Sequence, residues 1–270
     1  MKSNLSALAA LVALGGAATL ARADDAPAAA APAAAPASPI AYNIGLVSDY
    51  RYRGISQSRL NPALQGGIDY TGASGAYLGT WLSTISWIKD GGTIAGVDSG
   101  KTPAEWDLYG GLRGNLTKDL SYDVGGLYYL YVGNKFGNIG SAAANANTFE
   151  IYGALTYGIF TAKYSQSLTN LFGVADSKNS GYVDLTANID LGNGVSLTPE
   201  LAHQSVTHFS NGSYTLVSLT LGKDFGNGFS ISAQAISTDA KKIGGVPVYM
   251  SPAGKNLAAS TLVVGAKYTF

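Results

Sequence analysis

The stretch that decides the fold is Ser260-Thr-Leu-Val-Val-Gly-Ala-Lys-Tyr-Thr-Phe270, the last eleven residues of the chain. Apolar side chains recur at every second position from Leu262 to Phe270, with mostly polar or small residues between them. Successive side chains of a strand point to opposite faces of a sheet, so this pattern predicts a strand with one apolar face. Eleven residues can cross a bilayer as a tilted strand. Because a membrane-spanning sheet tolerates no free edge, this last strand must pair with the first and close a barrel.

The same alternation recurs upstream. It predicts twelve strands, over residues 41–52, 63–71, 76–86, 104–116, 120–132, 148–157, 159–168, 181–191, 195–206, 213–224, 228–237 and 260–270. Every second connection is tight, and the others are mostly longer, at 53–62, 87–103, 133–147, 169–180, 207–212 and 238–259. Short periplasmic turns and longer outer loops are typical of a membrane barrel. The sequence therefore predicts a closed antiparallel up-and-down transmembrane β-barrel of about 12 strands, with both termini on the periplasmic side.

The residues ahead of the barrel predict export. Lys2, an apolar stretch and Ala21-Arg22-Ala23 indicate a signal peptide over residues 1–23, although a short membrane anchor is an alternative. The Ala- and Pro-rich segment 24–39 buries nothing and predicts a disordered lead or tether. Residues 40–270 form the predicted barrel and contain no apolar run long enough for a transmembrane helix. The expected location is the bacterial outer membrane.

The composition excludes several classes of function. The chain has no cysteine, which excludes disulfides, thiolate metal sites and thiol catalysis. Without Lys2 and Arg22 of the signal peptide, 15 basic residues remain against 17 acidic ones. That balance argues against nucleic-acid binding, which requires a basic surface. We expect no cofactor.

Aromatic residues are predicted to flank the strands at both ends. The group at the short-turn end comprises Tyr70, Tyr77, Tyr122, Tyr157, Phe160, Phe225, Phe229, Tyr268 and Phe270, and the group at the long-loop end comprises Tyr50, Tyr52, Trp87, Trp106 and Phe149. Two aromatic girdles are expected where rings lie at the two membrane interfaces. In the third strand Trp81 and Leu82 compete for the lipid face, and the sequence leaves that choice open.

One block of the chain resembles a known family. It contains Ser48-Asp-Tyr-Arg-Tyr-Arg-Gly-Ile-Ser-Gln-Ser58, Asn61-Pro-Ala-Leu-Gln-Gly-Gly-Ile-Asp-Tyr70 and Gly79-Thr-Trp-Leu-Ser83. These stretches resemble the proteobacterial TorF family of porin-like proteins, and the similarity returns at the C-terminal strand. The resemblance implies an outer-membrane barrel with passive transport, and it provides no catalytic residues.

Charged side chains on the predicted inward faces are the candidate functional residues. The pore-lining candidates are Asp49, Arg51, Arg53, Glu105, Asp107, Arg113, Glu150, Lys163, Asp184, Glu200 and Lys267, and Asp69, Asp123 and Asp190 share their face. A charge on the lipid face would cost about 2–4 kcal/mol at mid-bilayer, so these residues belong in the lumen. Lys163 and Glu200 are predicted to lie near mid-height and line a constriction. The alternative, left open, is that these charges pair with one another across the barrel.

The sequence leaves three classes of function to compare. The first is a channel for passive diffusion of small polar solutes or ions. The second is a barrel plugged by its side chains and loops that serves adhesion or envelope structure. The third is a barrel enzyme, for which His203 and His208 are the only histidines and show no dyad spacing. Expected partners are outer-membrane lipid and the assembly machinery, which would recognise the strand ending in Phe270.

Overall fold

The computed structural model describes residues 38–270, whose main element is a closed antiparallel barrel. The predicted signal peptide and residues 24–37 of the predicted lead lie outside the described residues. Twelve barrel strands follow one another along the chain: β1 (Ile40–Val47), β2 (Ala63–Thr71), β3 (Ala76–Thr84), β4 (Ala104–Asn115), β5 (Leu120–Leu130), β6 (Thr148–Tyr157), β7 (Phe160–Ser167), β8 (Gly181–Ala187, continued by Ile189–Gly192), β9 (Val195–Ser205), β10 (Tyr214–Asp224), β11 (Phe229–Thr238) and β12 (Thr261–Thr269).

Each strand pairs with its neighbours in the sequence, and the ends of the sheet meet. Strand β1 pairs with β12 in the register Asn43↔Thr269 to Val47↔Gly265, so the first and last strands close the barrel. Strand β8 is interrupted at Asn188, and both of its parts pair with β9. The prediction of a closed twelve-stranded antiparallel barrel is confirmed.

The two faces of the strands differ as a membrane requires. Large apolar side chains on the outer face are exposed, such as Leu78 at 67% and Leu262 at 64%, whereas their chain neighbours Tyr77 and Val263 are buried. Leu82 is 44% exposed on this outer face, and Trp81 points inward with 5% exposure, which answers the question that the sequence left open. The apolar band therefore faces lipid and the polar side chains face the lumen.

The aromatic girdles are only partly as predicted. At the short-turn end Tyr157, Phe160 and Phe270 are each more than 60% exposed on the outside. The prediction is wrong for Tyr77, which lies in the lumen, and for Tyr50 and Tyr52, which are buried inside the barrel mouth. Trp87 is also misplaced, since it packs into the loops that cover the mouth. Both faces of β3 carry apolar side chains, so alternation does not fix the face of Tyr77, and it does not show that the chain leaves the sheet before Tyr50 and Tyr52.

The long connections form a folded layer over one end of the barrel. The connection after β3 contains helix α1 (Trp87–Ala95), which ends at Gly96 in a left-handed conformation with φ 71°. The helix packs on the short 3-10 helix Phe136–Ile139, with the rings of Trp87 and Phe136 5.0 Å apart. In the part of the chain that the structure describes, no helix has the length and apolar character needed to cross a membrane. We call this end the outer end, after the long connections of outer-membrane barrels, which face outward.

Candidate functional site

The first outer connection folds into the lumen as a small hairpin, which we call the plug hairpin (residues 49–58). Strand β1 ends at Val47, so the predicted continuation of this strand to residue 52 is wrong. Arg51 and Tyr52 instead pair with Ser56 and Ile55 in a two-residue antiparallel ladder. The alternation of the sequence continues through this segment because the hairpin arms are themselves extended.

Asp49 fastens the base of the plug hairpin. Its carboxylate accepts hydrogen bonds from Ser56 Oγ at 2.5 Å, Ser58 Oγ at 3.1 Å and Arg51 Nε at 2.8 Å. Arg51 also donates to the carbonyl of Ala259, just before β12, at 3.0 Å. Asp49 and Arg51 therefore stabilise the hairpin and do not extend the barrel wall as predicted.

Arg53 lies at the tip of the hairpin and reaches the opposite wall. Its guanidinium donates to the Glu150 carboxylate at 2.7 and 3.2 Å and to Gln204 Oε1 at 2.7 Å. The guanidinium carbon also lies 4.8 Å from the ring centroid of Tyr52 and 4.2 Å from that of Tyr182. Arg53 is 1% exposed and Glu150 2% exposed, so this ion pair is sealed from water.

The turn of the hairpin packs tightly against β10 and β11. Arg53 and Gly54 have φ values of 46° and 83°, the two left-handed residues of a tight hairpin turn. A Cβ at Gly54 would lie 2.8 Å from Thr238 Cγ2 and 2.9 Å from Leu216 Cδ1. The Tyr214 hydroxyl donates to the carbonyl of Arg53 at 2.9 Å. The hairpin therefore spans the lumen from its root after β1 to the wall beyond.

A second buried carboxyl group, Glu105, lies beside the hairpin. It accepts hydrogen bonds from the hydroxyls of Tyr50 and Tyr131, both at 2.5 Å. Burial, followed by the Glu105 charge, raises the pKa of both hydroxyls well above the ordinary value. Both tyrosines lie beyond the strand ends and remain protonated donors at neutral pH, so they can offset the cost of burying the carboxylate.

Further polar contacts line the half of the lumen nearer the short turns. Tyr77 donates to Asp123 at 2.6 Å and also bonds the Tyr152 hydroxyl. Lys163 lies on this wall with its Nζ 4.6 Å from the centroid of the Tyr152 ring. Arg113 donates to a threonine of β2 and lies over the Tyr77 ring, at 5.2 Å from its centroid. This region combines charges of both signs, with Asp123 buried and Arg113 and Lys163 half-buried.

The predicted pore-lining residues thus fall into three groups. Three belong to the plug hairpin: Asp49, Arg51 and Arg53. Four are almost fully buried on the wall: Glu105, Asp107, Glu150 and Glu200. Four are half-buried on the wall: Arg113, Lys163, Asp184 and Lys267. The structure brings Arg53 and Glu150 together, and it places Glu200 against the hydroxyls of Tyr182 and Ser218.

Sequence reasoning missed the neutral residues that hold the hairpin. Gln204 donates its amide to the carbonyls of Gly181 and Ser205, both at 3.0 Å, which turns its oxygen toward Arg53. The hydroxyls of Tyr52 and Tyr129 are 2.8 Å apart, and Tyr129 also bonds Glu150. Alternation does place Gln204 and Tyr129 on inward faces, but a neutral side chain on such a face carries no signal that marks it as a functional candidate.

A cavity of about 310 Å³ opens above the hairpin at the outer mouth. It is largely apolar, and each of the long connections contributes to its wall, with aromatic rings from Trp87, Phe136, Phe172, Phe209 and Tyr249. Tyr52, Gln204 and Tyr214, which contact Arg53, also line this cavity. Residues that hold the tip of the plug hairpin therefore also form part of the wall of this cavity.

The two histidines lie away from the lumen. His203 is on the outer face of β9, where its Nδ1 is 3.2 Å from Thr215 Oγ1. His208 is in the connection after β9 and pairs at 2.9 Å with Asp176, both side chains being well exposed. Within residues 38–270 no group of three histidine or acidic side chains could hold a metal ion.

Solved porins share this fold. The chain is similar to the KdgM porin (TM-score 0.52, 9% identity) and to the KdgM porin in complex with disordered oligogalacturonate (TM-score 0.51, 9% identity), in each case over 86% of this chain and 98% of the other. The NanC porin in its rhombohedral crystal form has a TM-score of 0.49 at 11% identity, over 86% and 98% of the two chains. At these identities the likeness shows the fold alone.

Sequence comparison adds the family. No curated protein matches this chain. A family model described as "Bacterial protein of unknown function (Gcw_chp)" matches residues 30–270, which include the whole barrel and the plug hairpin. The chain therefore belongs to the Gcw_chp family.

Proposed function

We propose that the chain is an outer-membrane channel for the passive diffusion of small polar solutes or ions, and that the plug hairpin limits its conductance. The fold shared with porins supports a channel. The resemblance to the TorF family points to the same function. We also propose that the chain is a member of that family and that residues 1–23 direct its export. Outer-membrane lipid surrounds the apolar band, and assembly machinery recognises the strand that ends in Phe270.

The observation that carries the proposal is the charge on the inner wall. Of the predicted inward charges that lie buried or half-buried on the strands, seven are acidic, namely Asp69, Glu105, Asp107, Asp123, Glu150, Asp184 and Glu200, and three are basic, namely Arg113, Lys163 and Lys267. A barrel that only filled its own interior would be more stable with apolar side chains, since buried ionic groups carry a desolvation penalty. A charged wall is instead what a selective aqueous path requires.

The hairpin itself favours the second candidate, a plugged structural or adhesive barrel. Tyr50, Tyr52 and Arg53 are each less than 8% exposed, so the hairpin and the wall are in close contact. Its attachment to the far wall is nevertheless noncovalent, through hydrogen bonds, the Arg53–Glu150 ion pair and side-chain packing, so it can open without breaking a covalent bond. We therefore treat the hairpin as a constriction that opens. We propose no catalytic role for His203 or His208.

Conductance of purified protein in planar lipid bilayers tests the proposal. The matched variant replaces residues 49–61 with a two-residue Asn-Gly turn. Val47 and Ala63 are paired neighbours in β1 and β2, so a short turn can join the strands. We expect small, infrequent currents from the natural chain and larger, steady currents from the shortened one. Current from the shortened chain alone would favour the plugged barrel, and silence from both folded proteins would reject a channel.

A further inference from the structure

The groups around the Arg53 guanidinium form a complete receptor for a planar cation. Glu150 supplies a carboxylate that accepts from two guanidinium nitrogens, and Gln204 Oε1 accepts a third hydrogen bond. Tyr182 presents its ring face at 4.2 Å. A two-pronged carboxylate contact combined with a stacked aromatic ring is the arrangement that distinguishes guanidinium from a spherical ammonium ion.

The receptor belongs to the barrel wall and is held in place independently of Arg53. Glu150, Tyr182 and Gln204 lie on β6, β8 and β9, and their backbones are fixed by the strand ladders. The Gln204 amide bonds the carbonyls of Gly181 and Ser205, so its oxygen points into the site. Tyr129 donates to the Glu150 carboxylate at 3.3 Å. Removal of the Arg53 side chain would leave these wall groups positioned to bind another cation.

The backbone conformation at residue 53 does not favour arginine, which indicates that the Arg53 side chain is present for its contacts. Its φ of 46° lies in the left-handed region, which Asn and Gly adopt more readily than Arg. A side chain in an unfavourable backbone conformation is a marker of function when its contacts are specific. The contacts of Arg53 are specific, since they comprise an ion pair, an amide oxygen and two aromatic rings.

We infer that this receptor is a binding site for small guanidinium-bearing cations, and that in the natural chain the Arg53 side chain of the plug hairpin occupies it. The inference rests on the proposed channel function only in naming such cations as the favoured solute. The acidic excess of the wall attracts cations. A solute arriving from outside meets the cavity lined by Tyr52, Gln204 and Tyr214, and it then competes with Arg53 for Glu150.

Binding of guanidinium chloride to the folded full-length protein, measured by calorimetry, tests the inference. The variant is Arg53→Asn, because Asn suits the turn while the cation is removed; Arg53→Gly also suits the turn and replaces it if the Asn variant does not fold. We expect saturable binding to the variant that is tighter than to the natural chain by about tenfold or more, since the natural site is filled. Adding Glu150→Gln to the variant should abolish this binding.

Arg59→Asn provides the matched control. Arg59 is also an arginine of the first outer connection with a positive φ, 59°, but its partly exposed guanidinium pairs with the buried carboxylate of Asp90 on α1, away from Glu150. Arg59→Asn should bind guanidinium no more tightly than the natural chain, and sodium chloride at equal ionic strength should give no saturable binding to either variant. The proposed guanidinium site would be rejected if Arg53→Asn showed no binding of guanidinium, or if Arg59→Asn bound it as tightly as Arg53→Asn.

Bilayer recordings separate the site from the channel. In Arg53→Asn we expect larger currents, which guanidinium added on the outer side reduces in a saturable manner. Binding without current in any variant would support the site and reject the proposed channel. Current that guanidinium does not alter, together with no binding, would support the channel and overturn the guanidinium site.

Discussion

Gly54→Ala should release the plug hairpin from the far wall. The added Cβ would lie 2.8 Å from Thr238 Cγ2 and 2.9 Å from Leu216 Cδ1, and the residue has φ 83°. A left-handed L-residue costs roughly 1–2 kcal/mol, and overpacking a buried site costs about 1–3 kcal/mol. Together these give about 2–5 kcal/mol against the seated hairpin, which shifts the equilibrium toward the released state by roughly 30- to 4,000-fold.

The assay is single-channel recording in planar bilayers, with the heat-dependent shift in gel mobility as the check that the barrel is folded. Gly245→Ala is the control, because Gly245 has a similar φ of 86° in an outer connection but nothing lies within 4 Å of the added Cβ. We expect more frequent and larger openings in Gly54→Ala only. Equal conductance of the two folded variants and the natural chain would refute the seating of the hairpin that we describe.

Three further outcomes are expected. Lys163→Gln should raise the preference for cations and Glu200→Gln should lower it, as measured by the reversal potential in a salt gradient; unchanged potentials in both would reject a pore-lining role. Tyr50→Phe removes one hydroxyl donor from buried Glu105 and should lower the free energy of unfolding by about 1.5–3 kcal/mol in a urea titration in lipid vesicles; no loss would contradict that contact. Deletion of Phe270 should reduce the amount of folded barrel in the outer membrane, and an unchanged amount would argue against its recognition by assembly machinery.

The barrel could be predicted because its information is local. Alternation from Leu262 to Phe270, and in each earlier segment, reports which side chains face lipid without knowledge of the partners. Glycine-rich tight turns such as Gly192-Asn-Gly194 fix where each hairpin reverses, and Gly192, Asn193 and Gly194 all have positive φ. The inward placement of Glu105, Glu150 and Lys163 follows from the same period.

The contacts among the inward residues could not be predicted in this way. Arg53 and Glu150 are 97 positions apart, and Arg53 and Gln204 are 151 apart. Nothing in the alternation of one strand specifies which residue meets it across the lumen. The sequence therefore also left open whether the charged residues line water or pair with one another.

The sequence by itself determined a closed barrel with an apolar outside and a charged inside, because a membrane imposes that pattern on every strand separately. Only the tertiary structure decided that residues 49–58 leave the wall and cross the lumen. The hairpin can cross because the closed, curved sheet brings β6, β9 and β10 within reach of one turn at Arg53 and Gly54. Residues 49–52, which the sequence predicts as the end of the first strand, thereby become part of the hairpin that limits the conductance of the proposed channel.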